Sequence, residues 1–271
     1  MVTVYCTGHK WSVMVCEAFA QGAKARIVPP YPLMSGNDDV FMYGALRGLL
    51  PTYQAAKRKG RTILYADNGY FLPGKTEQSY FRITRNALQH DGVGPPPPGA
   101  MQRAKRLGIQ LKPWRTSGSH IVVCPPGHLF AGTFGFSADA WLENTISTLK
   151  KHTDREIRVR RKMSWNDAKP ADILRGGKPK TSVPTPLSVD LKDAWALVTH
   201  SSNAAAEAVV AGMPVFCTDR CGASAMGLSD LSAIESPRTD GDRESWLGVL
   251  AANQWMLSEM RSGQAWADLN R

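Results

Sequence analysis

Prolines 95–98 stand four in a row about a third of the way along a 271-residue chain, and neither a helix interior nor a central strand accepts such a run. They form a semi-rigid break, and one rhythm of elements is read on either side of it. Residues 2–6 are β-branched and aromatic, Thr7-Gly8 makes a turn, and residues 11–21 form an amphipathic stretch: strand, turn, helix. Residues 25–28 and 40–43 read as strands and 45–59 as a helix that Pro51 kinks or divides. Residues 61–66 read as a strand apolar at its centre, as in a strand buried on both faces. The pattern lapses over 91–119. It resumes with strands at 120–124, 156–160, 196–199 and 213–217 and helices at 138–151, 188–195 and 203–211, and residues 243–270 read as mostly helical. In the strand 156–160, Ile157 and Val159 are expected on one face, with Arg158 and Arg160 on the other.

Strands alternating with helices predict an α/β fold with parallel sheets. The expected domains are 1–117, with a Pro-rich linker over 91–117; 118–242; and a helical segment 243–271 packing back on the first.

Several classes are set aside by composition. Hydrophobic residues make up 43% and charged residues 21%, the balance of a folded chain. No run reaches the ~18–20 apolar residues of a membrane-spanning helix and the first residues lack a signal peptide's apolar core, so a cytoplasmic monomer without membrane attachment is expected. Five scattered cysteines read as reduced thiols. Cys217 and Cys221 have no spaced histidine pair to complete a zinc site, and with no Asp-x-Asp motif recognised, metal independence is expected. The net charge of +10 favours a polyanionic partner.

The most informative stretch runs from Trp195 to Cys217. A strand ends in Thr199-His200-Ser201-Ser202-Asn203, and an alanine-rich helix begins at once, stops at Gly212 and feeds Pro214 and another strand. There are more capping residues here than a cap requires. Small hydroxyl residues before a helix N-terminus make an anion site, at the strand end where open α/β sheets bind ligands. Glu207, one turn in, can reach a ribose; the plainer alternative is an ordinary capped unit with a solvent-exposed glutamate.

This segment, together with Tyr43-Gly44-Ala45-Leu46-Arg47, the strand ending Asp67-Asn68-Gly69-Tyr70-Phe71, HIVVCPP at 120–126, Trp141 and REIRVRRK at 155–162, resembles the GT-B glycosyltransferases, especially the bacterial enzymes that build capsule polysaccharide. It departs from them at Asp67-Asn68-Gly69, where the family often shows Glu-Asp-Gly. The resemblance implies two Rossmann-like domains facing across a cleft, with a nucleotide-sugar, a UDP-sugar by preference, as co-substrate and no cofactor. In that frame Arg160 and Lys162 neutralise a diphosphate; His200, Ser201, Ser202 and Asn203 hydrogen-bond it; and Glu207 holds the ribose. Asp67 is then the general base, its alternative being an Asx turn residue before Asn68-Gly69. His9, Lys10, Tyr70, Arg82 and Arg85 would meet the acceptor, the alternative for the arginines being a half-buried strand with snorkelling side chains.

Basic residues in the linker (Arg103, Lys105, Arg106, Lys112, Arg115), over 150–162 and over 169–180 suit a DNA duplex held by its phosphates. Small basic enzymes of this kind also resemble the bacteriophage transferases that glycosylate hydroxymethylated DNA bases. The resulting expectation is transfer to a hydroxylated pyrimidine flipped from the duplex, with inversion at the sugar. A glycan acceptor and a non-catalytic nucleic-acid-binding role are the competing readings.

Overall fold

The computed structural model describes residues 1–30, 36–161 and 186–270. The chain divides into two compact units: Met1–His90 with Pro97–Leu107 and Gly248–Arg271, and Asp91–Pro96 with Gly108–Leu247. Strands are β1 (Val2–Tyr5), β2 (Arg26–Val28), β3 (Asp39–Tyr43), β4 (Ile63–Asn68) and β5 (Tyr80–Arg85), then β6 (His120–Cys124), β7 (Glu156–Val159), β8 (Ala194–Thr199), β9 (Val215–Cys217) and β10 (Gln254–Met256).

The first unit holds one sheet of order β10-β5-β4-β3-β1-β2, and β1 to β4 are parallel. Alternation sends Val2 and Val4 of β1, and Phe41 and Tyr43 of β3, to a core shared with Val15 and Phe19 of the helix Lys10–Ala23. Tyr5, Val40 and Met42 point the other way, into a second core with Leu49, Tyr53 and Ala56. The central strands are thus covered on both faces, as their continuous apolar character requires. Phe19 stacks on Phe41 with ring centroids 3.8 Å apart. Each such fully buried side chain contributes roughly 1.5–3 kcal/mol.

The second unit is an all-parallel sheet of order β7-β6-β8-β9. Ile121 and Val123 of β6, with Ala196 and Val198 of β8, pack against Leu142 and Leu149 of the helix Ala138–Leu149. Gly212 ends the helix Ala204–Val210 at φ 75°, and a Cβ there would lie 1.9 Å from the Pro113 carbonyl oxygen. No side chain can replace it without moving the chain.

The segment 45–59 is divided at Pro51, as expected: a π-helical turn, Ala45–Leu49, precedes an α-helix Leu50–Arg58 that has Pro51 in its first turn, where the missing N–H costs nothing. Other expectations are corrected. The helix expected over 188–195 is only Leu187–Asp190, and the chain is already in β8 at Ala194. On the edge strand β7, Ile157 packs against the core but Val159 is 42% exposed, and Arg158 is exposed while Arg160 is half-buried. β5 runs antiparallel to β4, and the C-terminal segment supplies β10, antiparallel to β5, with Trp255 opposite Phe81.

The linker also changes character. Residues Ala100–Arg106 are helical, and Arg103, expected among DNA-facing cations, is buried. Its guanidinium donates to both Glu259 carboxylate oxygens at 2.6 Å and to the Ala251 and Gln254 carbonyls. Arg115 donates to the Leu191 and Ala194 carbonyls. Removing one partner of a buried pair strands the other charge. Glu259→Ala is therefore expected to lower stability by about 3 kcal/mol, read as a lower urea midpoint of the transition that follows the Trp255 environment. An unchanged midpoint would show that Arg103 does not need its partner.

Candidate functional site

The second sheet changes direction at β6. From β6 the chain goes outward to β7, then returns to the other side of β6 as β8. The loops leaving β6 and β8 therefore part at their carboxyl ends, where doubly wound sheets open a ligand crevice. Cys124-Pro125-Pro126-Gly127 leaves one strand and His200-Ser201-Ser202-Asn203 the other. The Thr199 hydroxyl ties them together, donating to the Cys124 carbonyl at 2.7 Å and accepting the Ser202 N–H at 3.3 Å.

The capping differs from the reading of the sequence. Ser202 Oγ accepts the Ala204 N–H at 3.2 Å, while Asn203 has helical dihedrals, φ −63° and ψ −17°, and makes no side-chain cap. The helix it precedes is only Ala204–Val210, so the recognition capacity of this edge lies in its side chains rather than in a helix dipole. Glu207 is exposed between the buried Ala206 and Ala208.

His200 sits in an aromatic enclosure. Phe136 stacks on its imidazole at 4.7 Å with planes 13° apart, Phe130 meets it edge-on at 5.9 Å, and Trp141 lies 6.1 Å away. Burial pushes its pKa below the ordinary histidine value, against the opposing charge of Asp219, whose Oδ2 is 3.8 Å from Nδ1. Ser201 Oγ lies 3.0 Å from the same nitrogen. His200 thus presents a neutral ring rather than a second cation for a diphosphate.

Trp141 Nε1 donates to Thr218 Oγ1 at 2.9 Å, which fixes the far wall. Arg160, just beyond β7, pairs with Asp190. Lys162 lies outside the described residues. Burial pushes the Cys124 thiol up to about 12, with the charge of Arg160 opposing and those of Asp190 and Glu207 adding. These three charges therefore all act on the same strand end.

In the first unit the sheet reverses at β1, which is flanked by β2 and β3. His9 and Lys10 follow β1 and are exposed, Lys10 lying over Trp11 at 5.8 Å. Asp67 is the penultimate residue of β4, on the same carboxyl edge. Its Oδ2 accepts from Arg82 and from the Tyr65 hydroxyl, each at 3.3 Å, and its Oδ1 from the Asn68 N–H at 2.8 Å. Arg82 lies directly across the ladder from Asp67. Burial disfavours its charge, but the Asp67 carboxylate together with the hydroxyls of Tyr70, Tyr65 and Tyr43 outweighs that cost, and the pKa ends above its ordinary value. Burial and the same carboxylate push the Tyr65 hydroxyl up, so it remains a donor.

Two expected acceptor contacts are not available where the structure puts them. Arg82 is 7% exposed and also donates to the Asn68 carbonyl at 2.6 Å, and Tyr70 is fully buried, its hydroxyl accepting the His90 N–H at 2.7 Å. Arg82 and Tyr65 instead hold Asp67 in place. Arg85 is exposed on the opposite face, bonded to the Leu269 carbonyl and 3.8 Å from Asp39.

One reading of the sequence is corrected: the chain does contain an Asp-x-Asp spacing, Asp240-Gly241-Asp242. Asp240 is taken by Arg238 at 2.9 Å, and Asp242 accepts the Ser245 N–H at 3.0 Å beside the helix Arg243–Ala252.

No family model and no curated protein matches the chain. Among solved structures it is similar to the Thermosulfurimonas dismutans KpsC β-Kdo 2,7 transferase (TM-score 0.55, 14% identity, all of both chains). It is also similar to the β-Kdo 2,4 transferase of the same organism's KpsC (TM-score 0.51, 14% identity, 93% of this chain and 89% of that one). The chain therefore has the two-domain, Rossmann-like α/β fold of the GT-B type.

Sequence reasoning missed Phe130, Phe136, Thr218 and Asp219. The signal for the first two was the aromatic density of Phe130-Ala-Gly-Thr-Phe134-Gly-Phe136, which periodicity cannot assign to a site. Because the unfolded chain binds the His200 proton more readily than the folded one, stability should fall as pH drops through ~6.5. His200→Gln is expected to flatten that acid limb in urea unfolding followed from pH 8 to pH 5. An identical limb in the variant would show that His200 is not the group responsible.

Proposed function

We propose that the protein is a glycosyltransferase that moves a sugar from a nucleotide-sugar to a hydroxyl of a glycan acceptor. The observation that carries this is the pairing of a GT-B-type fold with a polar strand end, His200 to Asn203 and Glu207, at the reversal point of the second sheet. The named neighbours transfer Kdo, which supports a glycan-building role.

In this reading the Ser201 and Ser202 hydroxyls and the neighbouring backbone bind the donor phosphates, and Glu207 accepts from the ribose hydroxyls. Arg160 exchanges Asp190 for the diphosphate. The ring of His200 and its aromatic neighbours exclude water, which strengthens each polar contact. Asp67 takes the acceptor proton as the hydroxyl attacks the anomeric carbon, and one in-line displacement inverts that centre. The Arg82 and Tyr65 contacts orient the carboxylate, while Asp67 keeps 26% of its side-chain surface exposed for the acceptor.

A hydroxylated pyrimidine in DNA is the second reading. Its support is the net charge of +10 and the exposed linker cations Lys105, Arg106 and Lys112.

Incubation with a panel of nucleotide-sugars and either oligosaccharide or hydroxymethyl-pyrimidine DNA, with mass spectrometry of both, tests the two acceptors. Sugar on the glycan alone supports the first reading, and sugar on the base alone replaces it with the second. No transfer and no nucleotide binding would sink both. Asp67→Asn is expected to reduce transfer by ~10²-fold or more while leaving donor affinity unchanged. Glu207→Ala should weaken nucleotide binding by ~10-fold, the worth of a lost charged hydrogen bond, in calorimetric titration with UDP and CMP.

A further inference from the structure

Cys217 and Cys221 are buried, and their sulfurs lie 3.2 Å apart. Cys217 ends β9, where its N–H donates to the Leu228 carbonyl, and the Cys221 N–H is held by Ser224 Oγ at 2.9 Å. Both ends of the intervening loop are therefore fixed, and all three of its residues hold a neighbour. Thr218 N–H donates to the Thr199 carbonyl and its hydroxyl accepts from Trp141; Asp219 N–H donates to the His200 carbonyl; Arg220 pairs with Asp91 at 3.2 Å. We infer that Cys217 and Cys221 are a dithiol that hydrogen peroxide converts to a disulfide, and that this shifts the loop holding His200 and Trp141.

The electron balance is simple. The Cys221 thiolate attacks one peroxide oxygen, giving a sulfenic acid and releasing hydroxide. The Cys217 thiol then attacks the sulfenic sulfur, the S–S bond forms, and the sulfenic oxygen leaves as water with the thiol proton. In total two thiols and one peroxide give one disulfide and two waters. In the dithiol Cys221 donates to the Cys217 sulfur; with Cys221 ionised the Cys217 thiol turns to donate instead, which favours the Cys221 thiolate against burial and lowers its pKa, while that of Cys217 is raised. This assigns the two roles. Closing the bond draws the sulfurs from 3.2 Å to ~2.0 Å, and the strain falls on Thr218 and Asp219 because both anchors are fixed. Cys6 neighbours Cys16 through Ser12, whose hydroxyl is 3.6 Å from one sulfur and 3.9 Å from the other. That pair belongs to the first unit.

The test uses the native chain. Trypsin cuts after Arg220, between the two cysteines, so a disulfide appears as peptide 193–220 joined to peptide 221–238 in a non-reducing digest of peroxide-treated, alkylated protein. Dithiothreitol should abolish the joined species. In Cys217→Ser the joined peptides should vanish and Cys221 should be trapped by dimedone. Both peptides recovered singly alkylated from oxidised wild type, or cross-links among other cysteines only, would overturn the site.

The effect on the donor edge rests on the reading proposed above. Oxidised protein should bind UDP or CMP at least ~5-fold more weakly than reduced protein, with the Cys217→Ser/Cys221→Ser double variant indifferent to peroxide. A joined peptide with unchanged affinity would overturn the coupling. Absence of nucleotide binding in the reduced protein would overturn the donor reading instead, and the disulfide would stand on the digest alone.

Discussion

A parallel strand covered on both faces has no side from which to reach solvent, and both sheets of this protein are built on such strands. Val2, Val4, Phe41 and Tyr43 serve one layer while Tyr5, Val40 and Met42 serve the other. The same holds for Ile121, Val123, Ala196 and Val198 against Val122 and Leu197, all fully buried. On the covered central strands, the polar groups that reach solvent stand at the strand ends and in the loops that leave them. The helices, turns and charged pairs of each unit are arranged around that restriction.

At each reversal point the restriction becomes an opening. β1 and β3 part at one sheet and β6 and β8 at the other, and the residues with chemistry stand at those ends: His9 and Lys10, His200 to Asn203. Asp67 is a variation on the theme, because β5 returns antiparallel beside β4 and puts Arg82 directly across from it. A carboxylate at a strand end is thereby converted from a free turn residue into an oriented one. Asp67 is not an Asx-turn residue: the Gly69 N–H such a turn would need donates to the Tyr80 carbonyl, and Oδ1 accepts the adjacent Asn68 N–H while part of the carboxylate stays exposed.

Element types along the α/β rhythm were legible because strand and helix periods differ and Gly and Pro punctuate them. β6 falls where the apolar run His120 to Cys124 begins and ends. What escaped was pairing. Three residues of β10 carry no periodic signal, and only the partner β5 makes them a strand. Arg103 reads as one cation in a basic run, yet its neighbour Glu259 is 156 residues away. The candidate site divided in the same way: His200 to Asn203 and Glu207 stood out as a local cluster, whereas Asp219 and Phe136 reach His200 only through tertiary structure.

The same long-range pairing reassigns the charge. A net +10 invites a polyanion, but the excess counts guanidinium groups irrespective of whether they face solvent. Arg82, Arg103 and Arg115 are committed to Asp67, to Glu259 and to backbone carbonyls, and Arg155 and Arg261 to Glu235 and Glu77. Such groups fix the protein's own chain and add little to the counterion release that drives duplex binding. Arg160 is paired as well, with Asp190. The net charge therefore overstates the cations left to meet a polyanion, and a count of charges carries the DNA reading less far than the sequence suggests.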